Sequence, residues 1–382
     1  MLQDTNEAGS AARSAISAIS ESISGNGSAV GNNRSAMAKR ETPPPRRVSQ
    51  QDIAREANVS RVTVSLVLAG KDQTSEETRK RVLEVAKRLR YRPNLLVQGM
   101  QSGQTRTVGV IAPVSVHFHA QIARGIHDEL VKNDWIPIQL WADASPNAMS
   151  TELEQIHRLV DRRVDGMIVW PVDASVPDLH FHEIWSRHIP LVTIDRETTT
   201  HADHVGTDEE SGGQIVAEHL LSLGHRNVAH LTYPTRPGSL ARRREAFVKA
   251  FERGGGNVEL VQCESSQAFD RMKAVLARPA AKRPTAVFAA TDPIAMKAYG
   301  AAYEVGLRIP DDLSVVGYAD FPFAADLAPP LTTVRQDPYH IGQVAAEIIL
   351  DRILGRAGND MPQRVRLKPE AVIRKSTAKA KT

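Results

Sequence analysis

The side chains best placed to do chemistry lie in residues 49–68, SQQDIAREANVSRVTVSLVL. Ser49 followed by Asp52 predicts the start of one helix, and Ser60 predicts the start of a second. The turn between them would lie at Asn58, a residue that tolerates left-handed backbone. The outward face of the second helix would carry Arg61, Val62, Thr63, Ser65 and Leu66. This helix–turn–helix pattern lets the start of the second helix meet base edges in a DNA major groove.

Positive charge is concentrated in the same region. Residues 46–106 contain 13 Lys and Arg against 6 Asp and Glu, a net of +7, whereas the whole chain is only +4. Residues 1–45 balance at zero, so residues 107–382 carry about −3. Neutralising phosphates requires local positive charge, and this distribution therefore favours a contact with nucleic acid.

A basic helix and a short apolar segment follow. RKRVLEVAKRLRYR at 79–92 predicts a third helix, with Thr74 and Glu77 as a capping box and Arg92 as its end, because a proline comes next. Alone, this helix could equally be a solvated surface. Residues 94–106 contain one further helical pattern, which is too short for a domain. This segment is interpreted either as a hinge or as an idle linker.

Composition excludes several classes of protein. The single cysteine, Cys263, rules out a disulfide framework and a Cys-based zinc site within the chain. The sequence has no apolar run of about 18 residues that would predict a membrane span. It also has no apolar leader that would predict secretion, so we expect a cytoplasmic protein. Each H-x-H pair, 117–119 and 180–182, lacks a third ligand, and no nucleotide or nucleophile motif is present. We therefore expect neither metal nor cofactor.

The N-terminal residues 1–45 are poor in large apolar side chains and end in three prolines. Such a composition cannot bury enough surface to offset the entropy of ordering, so we predict disorder there. Met37 begins an arm of more ordinary length, and a start at Met37 is a hypothesis that the intact mass of the native product would test.

From Val108 onward, apolar strands alternate with helices. This pattern predicts an α/β fold of doubly wound parallel sheets, and two sets of units indicate two lobes. Ligands of such folds bind at the carboxyl ends of the strands, and between lobes that face each other. The predicted strands are 108–114, 136–142, 165–171, 189–195, 227–232, 257–262, 285–290 and 313–320. The predicted domains are 1–45, 46–93, 94–106, 107–376 and the tail 377–382.

The chain resembles the LacI/GalR family of transcriptional regulators from about Val48 to Thr377. DIAREANVSRVTVSLVLAG matches the headpiece of that family, and RYRPN matches the start of its hinge helix. The motifs DGMIVWP, LVTIDR, HLLSLGHRNVAHL, RRREAF, TDPIAMKA, LRIPDDLSVVGYAD and PPLTTVRQD follow in the order and spacing of the family. The resemblance implies a homodimer on a pseudo-palindromic operator, with a small effector bound between periplasmic-binding-protein-like lobes. It also implies three chain crossings between lobes, with a helix at about 336–355 returning to the first.

The resemblance carries roles onto particular headpiece residues. Arg61, Val62 and Leu66 match base-reading positions, and Leu66 stands where many members have Arg, so it can touch a thymine methyl but cannot grip guanine. Phosphate or sugar contacts are implied for Ser49, Ser60, Thr63, Ser65, Ser75, Thr78, Tyr91 and Asn94. Met100 matches a leucine that wedges into the minor groove; otherwise it simply packs between hinge helices.

In the core, the resemblance and the strand ends select a candidate effector site. Its members are Phe118, His119, Trp170, Asp195, Arg243, Asp292 and Asp320. Carboxylates beside a guanidinium suit polyhydroxyl ligands, which favours a sugar or sugar derivative over a purine. Asp195 and Asp292 could instead be helix caps, and Trp170 could belong to the core. His119 and Ala319 depart from the residues most common at these positions.

Two other classes of protein could share this fold. A solute-binding component of a transporter would share the core, but it would need a signal peptide and would not carry residues 49–104. An enzyme on the same scaffold would need a nucleophile or cofactor motif. The C-terminal residues lack leucine heptads, which favours a dimer over a coiled-coil tetramer.

Overall fold

The computed structural model describes residues 48–71, 74–92, 99, 103–113, 117–141, 148–172, 181–197, 202–234, 238–358 and 361–381. The predictions for residues 1–45, Asn94 and Met100 lie outside these ranges. The chain divides into two compact units, with the boundary between Arg92 and Pro93.

The first unit is a three-helix headpiece, with α1 at Gln50–Ala57, α2 at Arg61–Leu68 and α3 at Glu76–Arg88. Its small core consists of Ile53, Ala54, Ala57, Val64, Val67, Val82, Val85 and Ala86. The apolar side chains of each helix recur at helical spacing, so packing the three stripes together buries them all.

The boundaries of α3 correct the sequence prediction at both ends. Ser75, rather than Thr74, is the N-cap, and its side chain accepts a hydrogen bond from the Thr78 amide. The helix ends at Arg88, because Arg90 adopts a left-handed backbone with φ 51°. The Tyr91 amide then donates to the Ala86 carbonyl at 2.9 Å, which folds the chain back before the proline is reached.

The second unit begins with a lobe built on a six-stranded parallel sheet in the order β11-β5-β4-β3-β1-β2. Its strands are β1 Thr107–Ile111, β2 Ile136–Leu140, β3 Gly166–Val169, β4 Leu191–Ile194, β5 Asp203–Thr207 and, from the far end of the chain, β11 Arg364–Leu367. Its helices are α4 His117–Lys132, α5 Ala148–Asp161, α6 His182–Ser186 and the returning α11 Pro338–Ile353.

The second lobe has a four-stranded parallel sheet in the order β7-β6-β8-β9 and a two-stranded antiparallel ribbon, β10-β12. Its strands are β6 Asn227–Thr232, β7 Asn257–Gln262, β8 Ala286–Ala289, β9 Ser314–Val316, β10 Thr333–Arg335 and β12 Glu370–Val372. Its helices are α7 Glu209–Ser222, α8 Ser239–Arg253, α9 Ala268–Leu276 and α10 Asp292–Glu304. Each lobe has its own buried apolar core.

The chain passes between the lobes three times, after β5, after β10 and after β11, as the resemblance implied. The returning α11 packs directly on α4, and glycine allows their close approach. A Cβ at Gly342 would lie 2.1 Å from the Ile122 carbonyl oxygen, and one at Gly125 would lie 2.0 Å from that of Tyr339. These contacts are with backbone, so a side chain at either position would force the helices apart.

Strand β5 was missed by the sequence analysis, because its residues Asp203–Thr207 read as polar although all are buried. The structure satisfies their polar groups internally. Asp203 accepts two hydrogen bonds from the Arg352 guanidinium, each 2.8 Å long, and one from the Gln363 amide. Burying such groups is tolerable only with partners of this kind, and those partners lie about 150 residues away in the chain.

Candidate functional site

In the headpiece, three serines cap the three helices. Ser49 accepts from the Asp52 amide while the Asp52 carboxylate accepts from the Ser49 amide, which completes the predicted capping box. Ser60 accepts from the Thr63 amide at 3.0 Å, and Ser75 caps α3 in the same way. Asn58 is left-handed at φ 53°, as predicted. Three of the four serines predicted to contact phosphate or sugar therefore lie at helix N-termini, which attract anions, whereas Ser65 lies within α2.

The outer face of α2 carries the side chains predicted to meet the bases. Val64 and Val67 are buried in the headpiece core, which fixes the orientation of the helix. Arg61 is exposed, and Val62 exposes 68% of its surface although it is apolar. Thr63, Ser65 and Leu66 are half-buried along the same side. Val62 therefore contributes little to the headpiece core, and most of its side chain is open to contact with another molecule.

Three other features complete the headpiece surface. Tyr91 is half-buried and packs against the headpiece core, so only part of its ring is available to a ligand. Arg88 and Glu56 form an ion pair that connects α3 to α1. Thr78 shares a hydrogen bond with Ser75, and both side chains are near the surface.

In the first lobe, two predicted residues, Asp195 and His119, and one that was not predicted, Arg196, lie around the indole of Trp170. The Trp170 Nε1–H donates to the Asp195 carboxylate at 3.0 Å, and the His119 ring meets the indole edge-on at 5.0 Å. The Arg196 guanidinium covers the indole at 3.9 Å from its centroid and donates to the carbonyls of Pro171 and Val172. Trp170 is consequently buried, with one of its faces occupied by a cation.

His119 and Phe118 stand at the start of α4. Their rings are 5.5 Å apart, and Phe118 is buried. The His119 Nδ1 atom is buried without a hydrogen-bond partner among the described residues. Burial lowers the pKa of His119, and the Asp195 carboxylate opposes that shift only in part.

In the second lobe, Arg243 is held in a buried ion pair. Its Nε and Nη2 atoms donate to the two carboxylate oxygens of Glu209 at 2.7 and 2.9 Å, and Nη1 donates to the Ala290 carbonyl. The guanidinium also stacks 3.5 Å from the Tyr318 ring centroid. Burial alone would lower the pKa of Arg243, but the Glu209 carboxylate raises it above its usual range. Burial raises the pKa of Glu209, and its contacts with the Arg243 guanidinium oppose that shift.

Asp292 is fully buried at the first position of α10, following the β8 strand end. One carboxylate oxygen accepts from the Thr333 hydroxyl at 2.7 Å, and the other accepts from the Phe321 amide at 2.7 Å. Burial raises the pKa of Asp292 to about 6. This carboxylate therefore fixes the loop after β9 against β10.

Asp320 lies in that loop, where Ala319 and Asp320 both have positive φ angles of 105° and 50°. Such backbone is costly for residues other than glycine and persists only when neighbours hold it. Two arginines do so: Arg335 donates to Asp320 at 2.8 Å and Arg374 donates at 2.7 Å. Arg335 is half exposed, so this ion-paired group stands at the surface of the cleft.

A cavity of about 220 Å³ opens between the start of α4 in the first lobe and the loop after β9 in the second. Phe118 and Asp320 are the two predicted effector residues among its walls. The other wall residues are His117, Gln121, Ala319, Phe321, Arg335, Gln336, Pro338 and Tyr339. A larger depression of about 620 Å³ lies on α8 and β7 and contains none of the predicted effector residues.

The structure thus brings the predicted core residues to the carboxyl ends of the strands, but it commits several of them to internal partners. Sequence reasoning missed Glu209, Arg196 and Gln336. Glu209 follows Asp208 at the end of an unrecognised strand, and no local pattern pairs it with Arg243, which lies 34 residues later. The one signal that could have found these three side chains is their position near strand–helix junctions, which indicates that they face the same cleft.

Two further observations concern the described part of the chain. None of its helices is long and apolar enough to cross a bilayer. Within the same residues, no group of three or more His, Cys, Asp and Glu side chains is arranged to hold a metal ion.

Comparison with known protein families assigns both parts of the chain. Residues 49–94 match the family described as bacterial regulatory proteins, lacI family. Residues 217–377 match the periplasmic binding protein-like domain. Both matches agree with the headpiece and the two-lobed core described above.

Individual relatives extend the match over most of the chain. The transcriptional repressor PurR of Escherichia coli O139:H28 is 31% identical over 338 residues, 86% of this chain and 96% of that protein. The solved lac repressor dimer, bound to operator and the anti-inducer ONPF, is 26% identical with a TM-score of 0.76 and covers 87% of this chain and 100% of its own. A regulator from Enterococcus faecium with bound ribose is 29% identical, with a TM-score of 0.62, covering 72% of this chain and 100% of its own. The chain therefore belongs to the LacI family of bacterial regulatory proteins.

Proposed function

We propose that this protein is a transcriptional repressor that binds an operator and changes its operator affinity when a small effector occupies the core. The observation that carries the proposal is the outer face of α2, where Arg61 and exposed Val62 stand on a helix fixed by a capped, positively charged headpiece. A solute-binding protein for transport would share the core but would have no use for this face. The relatives named above are repressors, not enzymes.

On the operator, α2 would enter the major groove, with Arg61, Val62 and Leu66 contacting base edges. The helix N-termini capped by Ser49, Ser60 and Ser75 would approach phosphates, which position the headpiece without reading sequence. Thr63, Ser65, Thr78, Tyr91 and Asn94 would add backbone contacts. Met100 would insert at the central step and bend the DNA, and Met100→Ala should then reduce bending in a permuted-fragment gel assay.

In the core, the effector would lie in the cleft between the lobes, against Phe118 and Asp320 and within reach of the Asp195 carboxylate. His119, Trp170, Arg243 and Asp292 would shape this site from behind. The lac repressor and the Enterococcus faecium regulator hold ONPF and ribose, which supports a sugar or sugar derivative as the effector class. An effector changes operator affinity only through its different affinities for two lobe arrangements.

A symmetric operator requires two headpieces, so we expect a homodimer, as in the lac repressor structure on operator. A repressor acts on chromosomal DNA, and we propose a cytoplasmic location on that basis. Light scattering of the purified chain would measure the assembly directly, and a monomer at micromolar concentration would contradict the dimer.

The test of function is selection of random DNA duplexes by the full-length protein at moderate salt, followed by sequencing. We expect a two-fold symmetric site. Arg61→Ala should alter the recovered bases in each half-site. Arg55→Ala removes an equal charge from an exposed position on α1 and should leave the recovered sequence unchanged. Recovery of no sequence preference, with or without a panel of sugars, would contradict the proposal.

A further inference from the structure

The guanidinium of Arg243, the cation of the predicted effector site, already has a carboxylate ligand within the protein. Glu209 binds it with two hydrogen bonds in the parallel geometry that a guanidinium offers to any carboxylate. Ala290 and Tyr318 occupy its remaining edge and one face. Both partners are almost completely buried, so water does not weaken the pair.

Helix packing and the helix dipole stabilise Glu209 in this position. Glu209 is the first residue of α7, where the N-terminal end of the helix favours negative charge. Gly213, one turn later, lets α8 approach so closely that a Cβ there would lie 2.4 Å from the Arg243 carbonyl oxygen. The carboxylate is thus built into the junction of the two helices.

This ion pair lies directly behind the wall of the cleft. Gln336, which lines the cavity of about 220 Å³, donates through Nε2 to a Glu209 oxygen at 3.2 Å and to the Thr207 hydroxyl at 2.8 Å. Burial is the main influence on the pKa of both Glu209 and Arg243, followed by the effect of each on the other, and the nearby Asp195 carboxylate adds a smaller upward shift to both. An acidic effector approaching Arg243 would therefore meet two carboxylates before the cation.

Asp195, in contrast, favours ligand groups that donate hydrogen bonds. A carboxylate can accept about four hydrogen bonds, and among the described residues the structure gives its oxygens one, from the neutral indole of Trp170. Hydroxyl or amino groups of a ligand could fill the remaining acceptor positions. An ionised carboxylate has no proton to donate, and a phosphate monoester is mostly dianionic at neutral pH, so the Asp195 carboxylate repels both.

We propose that Glu209 is a specificity-determining residue that occupies Arg243 in place of a ligand carboxylate and so restricts the cleft to effectors without an acidic group. This inference rests on the proposed function and narrows its effector class to neutral hydrogen-bond donors such as unmodified sugars. The same pair disfavours sugar acids and sugar phosphates relative to the matching neutral sugars.

The first test needs no knowledge of the effector. Glu209→Ala leaves Arg243 buried beside a space the size of a carboxylate, and formate is a small carboxylate that can fill it. We expect formate to raise the core melting temperature of full-length Glu209→Ala by several degrees more than chloride of equal ionic strength, and to have no such effect on the unchanged protein. Equal responses to formate and chloride would overturn the proposal.

A matched control uses an exposed pair of the same geometry. Glu259 also binds an arginine, Arg278, through two hydrogen bonds of 2.7 and 2.8 Å, but both side chains are more than a third exposed. Glu259→Ala should show no formate-specific stabilisation, since water already solvates its arginine. Should Glu209→Ala fail to fold, Glu209→Gln keeps the shape of the side chain and removes its charge, and the ligand comparison below then tests the proposal without an empty space beside Arg243.

The second test compares matched ligands, for example galactose with galacturonate and ribose with ribose 5-phosphate, by calorimetry. In the unchanged protein, the acidic member of a pair should never bind more tightly than the neutral one. In Glu209→Gln, the ratio of acidic to neutral affinity should rise at least about tenfold, equivalent to about 1.4 kcal/mol. Tighter binding of an acid by the unchanged protein would overturn the proposal, whereas loss of operator selection would contradict only the proposed repressor.

Discussion

In the described part of the headpiece, the side chains proposed to act are exposed or half-buried, and they stand on or beside three helices in one short stretch of the chain. In the core, those proposed to shape the effector site come from strand ends spread between Phe118 and Asp320, and Trp170, Arg243 and Asp292 are buried. The headpiece thus separates stability from recognition, since Val64 and Val67 hold α2 while Arg61 and Val62 remain available. In the core, the same groups serve both purposes, so function there should be inseparable from folding.

The largest effect that this comparison predicts is at the buried ion pair. Arg243→Met leaves the Glu209 carboxylate uncompensated and should lower the free energy of unfolding of the core by about 3–5 kcal/mol. Arg278→Met, in the exposed pair with Glu259, should cost less than about 1 kcal/mol. Urea titration followed by circular dichroism would measure both, and equal losses would break the distinction between the two environments.

The second prediction tests the close packing of the returning helix α11 against α4. Gly342→Ala on α11 places a methyl group against the α4 backbone and should cost about 1–3 kcal/mol of core stability, because backbone cannot yield as a side chain does. Gly358→Ala, with no atom within 4 Å of the added carbon, should change stability by less than about 1 kcal/mol. A tolerated Gly342→Ala would mean that α4 and α11 pack less closely than described.

Substitutions on the outer face of the headpiece should affect operator binding but not stability, in contrast to the core substitutions above. Arg61→Ala should reduce the free energy of operator binding by about 1–3 kcal/mol through loss of a base contact. The same substitution should change headpiece stability by no more than about 0.5 kcal/mol, because the side chain is exposed. Binding measured by fluorescence anisotropy on the selected operator, with Arg55→Ala as the charge-matched control, would test it. Equal losses of affinity in the two variants would assign Arg61 a purely electrostatic role.

The smallest effect concerns the corrected cap of α3. Ser75→Ala should cost about 1 kcal/mol of headpiece stability through loss of the hydrogen bond to the Thr78 amide. Thr74→Ala should stay within about 0.5 kcal/mol, since Thr74 caps nothing in the structure. Thermal unfolding of the two variants under identical conditions separates them, and a larger loss for Thr74→Ala would restore the capping box inferred from sequence.

Local sequence patterns were sufficient for several features whose partners lie within one or two helical turns. The capping pair Ser49–Asp52, the left-handed Asn58 and the inward Val64 and Val67 all follow from such spacing, and the structure confirms each. Most strands of the core also appeared as uninterrupted apolar runs. The patterns failed at β5, whose buried polar residues depend on Arg352 and Gln363, and at the end of α3, where a left-handed Arg90 ends the helix before the proline.

The sequence by itself determined the fold class, the localisation of charge in the headpiece and the residues that face outward on α2, because these depend on periodicity and composition. Tertiary structure alone decided which candidate effector residues are committed to internal partners. Arg243 is paired with Glu209, Asp320 with Arg335 and Arg374, and Asp292 with the loop after β9. Hydrogen bonds between segments far apart in the chain have no local signature, so only the folded chain shows which charged groups neutralise one another and which can still accept a ligand.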